Sequence, residues 1–173
     1  PDTNAIQIGL WAGAGYLAEF LFEIPSGYIS DRIGHKKMLV LAKIFMILAV
    51  LSFIHGSSLI FFILGAIFTS LSFASQSGTK TAFLYETLVS LKKESNFIKI
   101  STETAAYASL FSALLIIIIP FSTQISIKIP LFIGLFLDVI GLISTVLLIK
   151  PNVVEETDDP KFILQLFKET KVT

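Results

Sequence analysis

The chain has 173 residues, 54% of them hydrophobic and only 15% charged, with a formal net charge of zero and a mean hydropathy of +0.81. A soluble domain carries charge on about a quarter of its residues, so the bilayer rather than water is the expected solvent. Zero net charge, with basic residues confined to short clusters, argues against a nucleic-acid partner; the absence of cysteine removes any disulfide frame or thiolate metal site, and neither a metal nor a cofactor is expected.

Crossing the hydrocarbon takes roughly 20 apolar residues at about 1.5 Å each. Five runs qualify, at residues 5–30, 38–54, 59–88, 104–121 and 130–149, which predicts an all-α membrane protein. The first run is rich in small residues: Gly9, Gly13, Ala14, Gly15, Ala18 and Gly27 allow close approach of a neighbouring helix, which lipid itself does not drive. The third run is longer than a span requires, so a tilt or an extension past the bilayer is expected.

Between the runs the charges alternate. Arg32, Lys36 and Lys37 follow the first run, His55 and Gly56 the second, Lys92, Lys93 and Lys99 the third, Lys128 alone the fourth, and Lys150 the fifth. Positive charge on every second side places those ends in the cytoplasm, with Pro1 outside and Thr173 inside. Residues 1–150 form the membrane domain. Residues 151–173 form a cytoplasmic linker, in which Asp159 and Pro160 start a short amphipathic helix carrying Phe162, Ile163, Leu166 and Phe167 on one face.

Ionisable residues inside spans mark cavities or partners, because a charge in hydrocarbon costs at least roughly 2.5 kcal/mol. Glu19 and Glu23 share a helix face, about 18 and 12 Å from Asp31 at about 1.5 Å per residue. They either bind a proton or the polar end of a substrate, or neutralise Lys43, Lys80 or a residue of another helix. Lys80 either meets an anionic substrate or snorkels to the cytoplasm. Asp138, the most isolated acid, is either a neutral hydrogen-bonded group or part of a transport path. Trp11, Tyr16 and Tyr107 are the aromatic candidates for lining a cavity.

The turn after the first run reads Gly27-Tyr28-Ile29-Ser30-Asp31-Arg32-Ile33-Gly34-His35-Lys36-Lys37. A fixed Gly, Asp, Arg, Gly and basic residue at this spacing arises by chance about once in a million starting positions. The segment resembles the signature loop between helices 2 and 3 of the major facilitator superfamily. Glu23-Ile24-Pro25-Ser26-Gly27 resembles the stretch preceding that loop in many bacterial members, and the stretch from Ser77 through Lys80 to Glu86 resembles their fourth helix. The sequence departs from the family at His35, where arginine is more usual, and in the fifth helix, where residues 107–121 hold no glycine.

This resemblance implies a partial N-terminal six-helix domain: helices 2 to 6 and the start of the central linker, with helix 1 and the C-terminal half as partners within the same transporter. It implies alternating-access transport of a small-molecule substrate across the bilayer, as a proton-coupled exporter in a bacterial inner membrane. Gly27, Asp31, Arg32, Gly34, Lys36 and Lys37 form its conformational latch; Asp31 faces a helix N-terminus of the other half, and Arg32 pairs with Glu86. A membrane-embedded enzyme is the competing class. It is disfavoured because His35 and His55 both fall in connections, no H-E-x-x-H occurs, and Ser75-x-Ser77-Gly78 lacks the leading glycine of a nucleophile motif. A purely structural bundle, the third class, requires no cavity among the family's helices 2, 4 and 5.

Overall fold

The computed structural model describes residues 4–56 and 58–151. Hydrocarbon offers no partner for a free N–H or C=O, so a spanning segment pairs its backbone internally, and the described chain is all-helical. Its helices are α1 (Ala5–Ile33), α2 (His35–Ile54), α3 (Leu59–Gln76), α4 (Thr79–Ser90), α5 (Phe97–Thr123) and α6 (Ile129–Leu147), with a 3-10 turn at Glu94–Asn96. α3 and α4 make up one 32-residue stretch, Leu59–Ser90. Five segments are therefore long and apolar enough to cross a membrane, with mean hydropathies of 1.3 to 2.3. The amphipathic helix expected after Asp159 lies outside the described residues.

Two connections differ from the expected ones. The turn shrinks to a single non-helical residue, because α1 runs on to Ile33 and α2 begins at His35. Gly34, at φ 92° and ψ 140°, closes one helix and opens the next: its N–H donates to Ser30 O at 2.9 Å, and its carbonyl accepts from Met38 N at 3.2 Å. The third run, expected to be continuous, breaks at Ser77 and Gly78, where Gly78 takes φ +73°. That break takes Gly78 out of the helix and frees the Ala74 carbonyl, which accepts from Ser26 Oγ on α1 at 2.8 Å. Pro25 inside α1 likewise removes a backbone donor one residue before Ser26.

α3 sits at the centre, packed against both α1 and α2, while α6 packs on α2 and α5 touches α4 and α6. Apart from Met38 and Leu88, the buried side chains are small, among them Ala42, Ala49, Ala66 and Ala74 with Ser70 and Ser72. Small residues let backbones approach, which is how helices gain contact energy where lipid removes the hydrophobic drive. Gly15 is the glycine of α1 that does this, since a Cβ there would lie 3.3 Å from Ala66 Cβ and 3.4 Å from Ser70 Oγ. Gly9, Gly13 and Gly27 have no such neighbour within 4 Å. Neither α5 nor α6 buries any residue.

Candidate functional site

Gly34 brings four polar side chains together at the junction of α1, α2 and α4. His35 Nδ1 lies 2.8 Å from Ser30 Oγ, Ser30 Oγ lies 3.1 Å from Thr79 Oγ1, and His35 Nε2 lies 3.1 Å from Glu86 Oε1. Ser30 and Thr79 are buried and His35 is largely so, which makes the chain of contacts continuous and mostly dry. With its proton on Nε2, the ring donates to Glu86 and accepts from the Ser30 hydroxyl. With both nitrogens protonated, it donates to both neighbours, Ser30 turns its proton to Thr79, and the contact with Glu86 becomes an ion pair.

The expected pairing of Arg32 with Glu86 is thus replaced by His35 with Glu86. The cause is the direction each side chain takes: Arg32, in the last turn of α1, is exposed, with its guanidinium 4.7 Å above the Tyr28 ring, whereas His35, the first residue of α2, turns toward α4. His35 therefore belongs to a helix and not to a loop. Asp31, Arg32 and Lys37 are exposed, and Lys36 and Lys37 share a cavity of about 410 Å³ with Lys150. A double-mutant cycle on resistance to unfolding in mixed detergent micelles checks the pairing: His35→Ala and Glu86→Ala should couple by about 1 kcal/mol. Arg32→Ala and Glu86→Ala should add, and coupling between Arg32 and Glu86 in place of His35 would contradict the geometry.

A cavity of about 460 Å³ opens between α1 and α3. Gly15 and Ala66 form part of its wall, and Trp11, Tyr16, Phe53 and Phe73 supply aromatic surface. Its one ionisable acid is Glu19, at the midpoint of α1 and half-buried. Thr69 turns its hydroxyl to the Gly65 carbonyl at 2.9 Å. Of the aromatic candidates, Trp11 and Tyr16 line this cavity, whereas Tyr107 stands exposed on α5. Glu23 is exposed one turn further along α1 and does not line it.

Asp138 is not isolated. Its Oδ1 accepts from Lys43 Nζ at 3.0 Å, joining α6 to α2 well inside both helices. Gly141, one turn along α6, leaves room for the lysine stem, since a Cβ there would lie 3.1 Å from Lys43 Cε. Lys43 is therefore taken by Asp138 and does not neutralise Glu19 or Glu23. Lys80 opens α4 just past the break and is exposed.

The pairings differ from the expected ones: Glu86 meets His35 and not Arg32, and Asp138, expected to be isolated, meets Lys43. The missed signal for Lys43 and Asp138 was depth, since Lys43 lies eight residues after the start of α2 and Asp138 nine before the end of α6, at the same side of the bundle, and so near the same level of a bilayer. No family model, curated protein or solved structure matches the chain.

Proposed function

We propose that the chain is most of one half of an alternating-access carrier for a small solute, with the described helices as helices 2 to 6 of a major facilitator-type domain. The observation that carries this reading is the placement of the Gly27-to-Lys37 motif: it sits at one end of a bundle of membrane-length helices, with His35 against Glu86 of the third span. Such a contact between the ends of two spans is suited to forming in one state of a rocking bundle and breaking in the other. The cavity at mid-helix beside Glu19 supplies a place for a solute, and α5, which buries nothing, has a face available for a further helix. In this reading Asp31, exposed at the end of α1, docks on the partner half, and the motif end is cytoplasmic in a bacterial inner membrane. The chain then works as a porter and not as a catalyst, with proton coupling and export as the favoured mode.

The test is flux. Uptake and efflux of a panel of small organic solutes, with and without a proton gradient, should show gradient-dependent movement by the intact protein in cells. Asp31→Asn should lower that flux at least about tenfold while insertion and abundance stay normal, the scale of one lost charge-assisted contact. Full flux by the variant at normal abundance would rule out the latch, and no flux of any solute would rule out the carrier.

A further inference from the structure

Three lysines meet around the second cavity, whose volume is about 410 Å³ and whose lining is Ile33, Gly34, Lys36, Lys37, Val40 and Lys150. These residues come from the end of α1, the turn, the start of α2 and the segment just past α6, so the cavity lies where three membrane-length helices reach the bilayer surface. Lys36 is half-buried there, while Lys37 and Lys150 are exposed. No aspartate or glutamate lines the cavity. The ion pairs among the described residues, His35 with Glu86 and Lys43 with Asp138, involve none of the three lysines. Held around one hollow, the three ammonium groups repel one another, and an anion placed between them turns that repulsion into attraction.

We infer that this cavity binds the phosphate of an anionic phospholipid, with Lys36, Lys37 and Lys150 as its cationic partners. Two features favour a lipid over a soluble anion. The cavity is level with the headgroups, where phosphate is most concentrated, and it is amphipathic, since Ile33 and Val40 give apolar surface for the glycerol and the first acyl carbons. A phosphodiester accepts from several ammonium groups at once, and each such bond is charge-assisted. A phosphatidylcholine brings its own cation into a hollow that already holds three, and so gains less. Bound there, the anionic lipid ties the junction of α1 and α2 to the end of α6, adding a surface link to the one that Lys43 and Asp138 make deeper in the span. This chemistry does not depend on what the bundle carries.

Native mass spectrometry of the intact protein, released from detergent micelles, tests the site with three probes: phosphatidylglycerol, phosphatidylcholine of the same acyl chains, and inorganic phosphate. One phosphatidylglycerol should bind saturably and at least about tenfold more tightly than the phosphatidylcholine, and inorganic phosphate should neither bind nor displace it at equal concentration. Lys36→Gln, Lys37→Gln and Lys150→Gln should each weaken phosphatidylglycerol binding about fivefold, the scale of one lysine near a membrane surface, and the triple variant should bind the two lipids alike. Lys93→Gln and Lys99→Gln, which remove exposed cations outside the cavity, should bind like wild type. Phosphatidylglycerol should also raise the thermal unfolding midpoint of the wild type and not that of the triple variant, whose cooperative unfolding without lipid shows that it is folded. Equal affinity for the two lipids, or a folded triple variant that keeps the preference, would overturn the assignment. Losses at Lys93 or Lys99 as large as those at the cavity would overturn it too, by marking a general surface charge. Inorganic phosphate bound as tightly as the lipid would make the ligand a soluble anion instead. Lipid binding that appears only once Glu155, Glu156, Asp158 and Asp159 are neutralised would make the chain's own acidic stretch the occupant, and the lipid assignment would fail.

Discussion

Asp138→Leu is expected to destabilise the protein by about 3 kcal/mol or more, among the largest effects of any single substitution in the described helices. The residue itself is only partly buried, with a side chain 17% accessible, but what it covers in the bilayer is a charge. Without Asp138, the Lys43 ammonium is left unpaired about 12 Å from the start of α2, eight residues at about 1.5 Å each, and its stem is too short to bring it fully to the headgroups. Lys43→Met should be comparably damaging, since it strands Asp138. The double variant should be more stable than either single one, because two apolar side chains of similar volume pack against lipid and α2 without any desolvated charge. Unfolding of the four proteins by sodium dodecyl sulfate in mixed micelles measures this. Simple addition of the two losses would mean that the 3.0 Å contact does not hold α6 to α2.

Gly34→Ala should cost about 1–3 kcal/mol through backbone strain alone, because φ 92° with ψ 140° lies in a region that side-chain-bearing residues rarely adopt. No atom lies within 4 Å of the position a Cβ would take, so crowding plays no part. The loss should extend beyond stability. Relaxing Gly34 rotates the start of α2 relative to the end of α1, and His35 then leaves Glu86 and Ser30, which it meets at 3.1 and 2.8 Å. Gly27→Ala is the matched control. Gly27 is helical and also has nothing within 4 Å, so alanine there should be neutral or slightly stabilising. If Gly34→Ala unfolds at the same denaturant concentration as Gly27→Ala, the strained turn is not what sets the angle between α1 and α2.

The single-residue turn shows how motif and structure divide the information. A glycine followed by basic residues between two apolar runs is legible as a turn, because few other residues take such a φ and few apolar helices tolerate those charges. That the turn would be one residue long, with the flanking motif residues helical, was not legible. Apolar run length marks where hydropathy stops, not where i to i+4 bonding stops, and Asp31, Arg32 and Ile33 extend α1 beyond its apolar part. The break at Gly78 was hidden for a related reason. Hydropathy continues across Leu59–Ser90, and it takes a donor from another helix, Ser26, to satisfy the carbonyl that the break exposes.

By itself the sequence determined the apolar solvent, the all-helical class and the number of helices able to cross a membrane, because these follow from local composition and the length needed to cross hydrocarbon. Only the tertiary structure decided which charges meet: His35 and not Arg32 with Glu86, Lys43 with Asp138, and Glu19 with a cavity instead of a lysine. Those choices depend on which face each helix turns to its neighbours. In helices that are apolar nearly all round, that face is set by where small residues such as Gly15 and Ala66 let backbones touch, a property of pairs of helices that no single stretch of chain contains.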